Sequence, residues 1–170
     1  MGIQKNTSDI KTINWNNETV YDSLSNLEFL NFLFSPENID RVKSQLGDKA
    51  DQFNIENFTA DRDSCSFSIS PMGTIGFKIV NREAPKAIKM VSEEGGPFKF
   101  TFWVQILPID GYTSKIRLTL HTELNMMTKM MIGGKLKKGI NQVADAFSQI
   151  PFGAIQSYNQ NNNKEAYLSE

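Results

Sequence analysis

Cysteine and histidine are almost absent: the 170 residues contain one of each, Cys65 and His121. A single thiol excludes an intrachain disulfide and any structural zinc site built on thiolates. One imidazole and one thiol are too few for a transition-metal centre, and no acidic cluster is spaced to replace them. No cofactor is therefore expected. Phosphate-loop chemistry is missing too, because Gly73–Gly76 and Gly133–Gly134–Lys135 lack the required spacing and strand-to-helix context. Neither GxSxG nor HExxH occurs. No stretch approaches the roughly 18 apolar residues of a membrane span. The opening MGIQKNTSDIK lacks the apolar run of a signal peptide, and Thr7 misses the Ser/Thr position of a myristoylation signal. A cytoplasmic location is expected. Net charge is −1, which makes no case for nucleic acid.

What remains is an apolar framework. Hydrophobic residues make up 39% and charged residues 22%, a balance that suits one folded domain. Twelve of the residues are Phe, enough to fill a core or to line an apolar pocket. Leu136, Ile140, Val143, Phe147 and Ile150 recur at steps of four and three, the period of one helix face. Met126, Met130 and Gly133 extend that face backwards. Lys129, Lys135, Lys137, Lys138, Asn141 and Asp145 fall between. One helix over Asn125–Ile150 would be about 40 Å long. The Gly133–Gly134 pair inside it predicts a kink or fray, or a flexible section that frees Met126–Met131 to act as a lid.

Before that helix the period is mostly two. Residues 3–15 make a weak strand. Asn16 or Asn17 can cap a short helix running to about Ser25. Further short helices are expected from Asn26 and over Pro36–Leu46, the second ended by Gly47. Phe53, Ile55 and Phe58 mark a strand. Residues 64–70, 74–80, 86–92, 98–107 and 114–124 alternate apolar with polar, the pattern of half-buried strands. Asn81–Pro85 is read as a break. The fold class that follows is α+β: a curved antiparallel sheet of six or seven strands wrapped around one long C-terminal helix. A single domain over residues 1–152 is expected, with a polar tail over 153–170.

This order, together with SCSFSISPMGTIGFKIVNREAPKAIKMVSEEGGPFKFTFWVQILPI and LTLHTELNMMTKMM followed by ADAFSQIPF, resembles small bacterial members of the START-like or SRPBCC superfamily. That superfamily has the helix-grip fold and includes lipid-transfer domains, plant pollen-allergen proteins and polyketide cyclases. The resemblance spans about residues 5–152, and the helix at 36–46 is additional to the shortest members. It implies a hydrophobic small molecule (a lipid, sterol-like or aromatic compound) carried between sheet and helix without catalysis. A polypeptide-binding, co-chaperone-like protein and a cyclase or aromatase are the alternatives.

Strand alternation selects the residues that would line such a cavity. From the sheet these are Phe67, Ile69, Phe77, Ile79, Ile88, Met90, Phe100, Phe102, Val104, Ile116, Leu118 and Leu120. Met127, Met130, Met131 and Phe147 are expected to meet them from the helix, methionine being adaptable to varied apolar ligands. Cys65 shares the apolar face, where burial makes a thiol inert. His121 falls on the opposite face, so no Cys–His pair forms and no catalytic residue is expected. Lys129, Lys135, Lys137 and Lys138 suit a solvated face or a transient contact with an anionic membrane surface.

Overall fold

The alternating segments pair antiparallel in a single sheet. The computed structural model describes residues 2–35, 40, 44, 54–70 and 72–155. The strands are β1 (Ile3–Thr7), β2 (Lys11–Ile13), β3 (Asn54–Ala60), β4 (Ser64–Ser70), β5 (Gly73–Glu83), β6 (Ala87–Ser92), β7 (Lys99–Pro108) and β8 (Ser114–Glu123). Their order is β1-β8-β7-β6-β5-β4-β3, and β2 also pairs β8. The weak strand expected over residues 3–15 is thus two short pieces laid along β8. Ser8 joins them: its N–H donates to the Leu118 carbonyl at 2.8 Å, and its Oγ accepts from the Leu118 N–H at 2.9 Å.

Among the described residues, two short helices lie between β2 and β3. The first, α1 (Asn17–Leu24), is capped as the sequence implies: Asn16 Oδ1 accepts from the Thr19 N–H at 2.8 Å. Such a cap contributes about 1 kcal/mol. Val20, Tyr21 and Leu24 are buried on its inner side. The second, α2 (Phe29–Leu33), buries Phe29. The helix expected over Pro36–Leu46 lies almost wholly outside the described residues.

Strand β5 corrects one expectation. It does not break at Asn81 but continues to Glu83 through a bulge between Ile79 and Asn81. The extra residue, Val80, turns outward and is exposed. An inserted residue shifts which positions face inward, so Arg82 rather than Asn81 stands opposite Ile88 on the apolar side. There its Nε donates to the Ser25 carbonyl at 2.9 Å and its Nη2 to the Arg62 carbonyl at 3.2 Å. The same Nη2 pairs with Asp63 Oδ1 at 2.6 Å. One guanidinium thereby ties the end of α1 to the β3–β4 turn. Arg82→Met should lower stability by about 1–3 kcal/mol, because two carbonyls lose their donor. Urea unfolding will measure it, and an unchanged midpoint would mean that the clasp contributes nothing.

The long C-terminal helix is in two pieces. Here α3 (Met126–Ile132) passes through a 3₁₀ turn (Gly133–Lys135) into α4 (Leu136–Ser148). The reason is close approach. Gly133 is buried, and a Cβ on it would stand 3.1 Å from Lys129 Cγ and 3.4 Å from Gln4 Oε1. Gln4 Nε2 donates to the Gly133 carbonyl at 2.7 Å, which pins the turn to β1. In α4, Ile140 and Ala144 are buried while Leu136 and Phe147 are half-buried. Val143, expected on the inner face, is exposed. The packed chain also runs past residue 152: Ile150, Phe152 and Ile155 are buried, so residues 153–155 belong with the core and not with the tail. The rest of the expected tail, 156–170, lies outside the described residues.

Candidate functional site

The inner face of the sheet is apolar and graded in burial. On β7, Val104 and Ile106 are fully buried, whereas Phe100 and Phe102 are half-buried. On β8, Ile116 and Leu118 are buried and Leu120 is half-buried. Ile88 and Met90 on β6 and Ile79 on β5 are buried, but Phe77 is half-buried. Cys65 on β4 is buried, while Phe67 and Ile69 are half-buried. Cross-strand pairing places Phe102 beside Leu120 and Met90, and Phe100 beside Thr122. All the sheet positions expected to line a cavity therefore share one face. The packed end of that face belongs to the same cluster as Val20, Tyr21, Leu24, Ile140 and Ala144.

At the half-open end the rings touch one another. Phe77 and Phe100 have centroids 6.3 Å apart, and Phe98 lies 5.7 Å from Phe100. Phe34, Phe58 and Phe67 form a stacked series at 4.6 and 6.3 Å. Phe147 of α4 meets Phe29 edge-on at 6.4 Å. Phe34, Phe58 and Phe98 are additional to the expected lining. Phe34 lies at the end of α2 and Phe58 next to a β3 irregularity where Asn57 adopts φ +54°. Period-two reading does not carry through such a bulge.

Met127, Met130 and Met131 are placed differently from the sequence expectation. Their exposures are 71%, 83% and 42%, and α3 buries none of its residues. The break at Gly133 separates α3 from the face that α4 presents to the sheet. Of the helix residues expected at the cavity, Phe147 alone packs against the core.

Few polar groups reach the inner face. Ser92 Oγ accepts from the Phe100 N–H at 2.9 Å. Thr122 Oγ1 donates to the Gln4 carbonyl at 3.5 Å. Asn6 stands opposite Leu120, and its buried Nδ2 has no acceptor among the described residues. Arg82 is occupied by the contacts described above. Burial pushes the Cys65 thiol up to about 12, with the Asp61 carboxylate adding to the effect. At neutral pH the thiol therefore stays protonated, the less reactive form.

The outer face holds His121, as the alternation requires. Its ring meets Trp103 edge-on at 4.5 Å, and Lys89 Nζ lies 5.6 Å from the Trp103 ring centre. A hollow of about 380 Å³ adjoins it, lined by Val91, Thr101, His121 and Glu123 among others. A second hollow, about 470 Å³, lies beside the start of α3, lined by Gly2, Ile3, Gln4, Leu124, Met126 and Lys129. Among the described residues, no three His, Cys, Asp or Glu side chains gather where a metal ion would sit. No helix there is long and apolar enough to cross a membrane.

A curved antiparallel sheet closed by a C-terminal helical segment is the helix-grip fold of START-like (SRPBCC) proteins, and this chain has that fold. Norcoclaurine synthase from Thalictrum flavum, solved in complex with dopamine and hydroxybenzaldehyde, superposes with a TM-score of 0.55 at 11% identity, over 87% of this chain and 86% of that one. A START superfamily protein from Mycobacterium smegmatis superposes with a TM-score of 0.51 at 13% identity, over 86% of this chain and 97% of that one. No protein-family model matches the sequence, and no curated protein matches it.

Proposed function

We propose that the protein binds an apolar small molecule, without chemical conversion, between the half-open end of the sheet and α4. The observation that carries this reading is the burial gradient. The same apolar face is closed at Val104, Ile106, Ile116 and Leu118 but half-open at Phe67, Phe77, Phe100 and Phe102. Pockets for small molecules are mostly apolar with a few placed polar groups. Asn6 Nδ2 is such a group, standing at the level of Leu120 and Phe102. A ligand carrying one carbonyl or hydroxyl oxygen would satisfy it. Small aromatic molecules in the Thalictrum synthase support an aromatic or ring-bearing ligand here. Among the described residues, the ionisable groups on the inner face are Cys65, whose thiol burial pushes up to about 12, and Arg82, held by two carbonyls and Asp63, which favours carriage over catalysis.

Paired substitutions test this. Leu118→Ala, at the closed end, should cost about 3–5 kcal/mol. Phe100→Ala or Phe102→Ala should cost well under half of that, because water already reaches these rings, and should change the uptake of an apolar fluorescent probe several-fold. A dry core gives a different result: all three lose stability alike, and neither the parent nor the variants take up probe or co-purify with a lipid. That result would end the carrier reading.

A further inference from the structure

Helix α3 carries an exposed apolar surface that the groove does not explain. Met126, Met127 and Met130 are 79%, 71% and 83% exposed, and Ile3 beside them is 54% exposed. Four lysines and no carboxylate lie between Glu123 and Asp145: Lys129, Lys135, Lys137 and Lys138. All four are exposed. Lys137 is tied to β1, donating to the Thr7 carbonyl. Among the described residues Lys129, Lys135 and Lys138 enter no ion pair, in contrast to Lys11, which pairs with Asp145 at 2.7 Å. Adaptable apolar side chains thus project from a short helix bordered by exposed lysines.

We propose that α3 and the turn after it form a docking element for an anionic lipid bilayer. Charge complementarity selects this occupant: the segment is wholly cationic while the chain as a whole is at −1. A second copy of the chain would set these lysines against one another across a symmetric contact, where like charges repel. Methionines entering the acyl boundary and lysines held at the headgroups are the two components of an interfacial anchor. The helix is fixed for the purpose at both ends. Asn125 Oδ1 accepts from the Thr128 N–H at 2.9 Å, and Gln4 holds the Gly133 carbonyl. The element follows directly from the end of β8, where Thr122 stands beside Phe100. It therefore sits at the half-open end of the sheet. Docking does not depend on what the groove holds, so the two readings fail separately.

The test is co-sedimentation of the full chain with phosphatidylcholine vesicles made with and without phosphatidylserine. Binding is expected to the anionic vesicles alone and to weaken steeply with added salt. Lys135→Gln with Lys138→Gln should weaken it roughly 25-fold, at about fivefold per lysine. Met127→Ser with Met130→Ser should weaken it at least about tenfold. All four positions are exposed, so the thermal midpoints should match the parent and report that each variant is folded. Equal binding to both vesicle types overturns the proposal, as does anionic binding that neither pair of substitutions changes. A chain that ignores vesicles overturns it too; methionine-dependent self-association in that case would assign the surface to a second copy.

Discussion

Replacing Phe152 by alanine should lower the unfolding free energy by about 3–5 kcal/mol, as expected for a fully enclosed ring that leaves a cavity. The residue is 0% exposed and follows Pro151, at a point where composition turns polar. A turn brings the chain back: the Ala154 N–H and the Ile155 N–H both donate to the Pro151 carbonyl, at 2.9 and 3.2 Å. Trp15 closes the other side. A Cβ on Gly153 would stand 2.9 Å from Trp15 Cη2, so only glycine allows this approach without a shift. Ser114 Oγ holds the Trp15 carbonyl at 2.9 Å, which fixes that strand end to β8. Residues 150–155 therefore close the hydrophobic core beside Trp15. Urea unfolding followed by tryptophan fluorescence should show a lower midpoint at unchanged slope. The thermal midpoint should fall by roughly 10 °C for a chain of this size. Ile155→Ala should cost about 2–5 kcal/mol by the same mechanism. A loss below about 1 kcal/mol at both sites would mean that this segment does not close the core.

The fold was largely legible because its signals are local. Asn16 or Asn17 before an apolar period announces α1, and residues 64–70 announce β4 with its boundaries intact. The inner face of the sheet was also legible, since side chains alternate across a strand and one buried face enforces the register. What escaped was set by contacts between distant residues. The β5 bulge moved Arg82 inward, and no property of residues 79–82 alone marks it. Gly133 and Gly134 signalled an irregularity in the helix. That the irregularity is a 3₁₀ turn depends on Gln4, more than a hundred residues earlier. Helical spacing places the methionines of α3 on the inner face. Their exposure follows from the break, which frees α3 from the face that α4 presents. The core extends to Ile155, an isolated apolar residue in polar surroundings that is buried beside residues 150–152.

Raising the pH from about 9 to 12 should remove roughly 3 kcal/mol of stability through Cys65 alone, of about 4 kcal/mol in all. The thiol is 2% exposed, and burial moves it from an ordinary value of 9.0 up to about 12. Between those values the unfolded chain has lost the proton and the folded chain still holds it. The folded state thus binds more protons, and stability falls as pH rises. The full contribution is present below about 9 and is gone above about 12. Three pK units at about 1.36 kcal/mol each set the size. Lysines and tyrosines also titrate in this range, so the measurement is a difference between the parent and Cys65→Ala. At pH 7 the variant should be less stable by about 1 kcal/mol, for the lost packing of one sulfur. By pH 11 the parent should have lost nearly 3 kcal/mol that the variant keeps, and the order of stability should reverse. Thiol labelling gives an independent reading. At pH 8 the folded chain should react with a disulfide reagent orders of magnitude more slowly than the urea-unfolded chain, since the thiolate is the reacting form. Parallel stability curves for the two proteins, or fast labelling of the folded one, would show that Cys65 is open to water and that β4 is not sealed against the core.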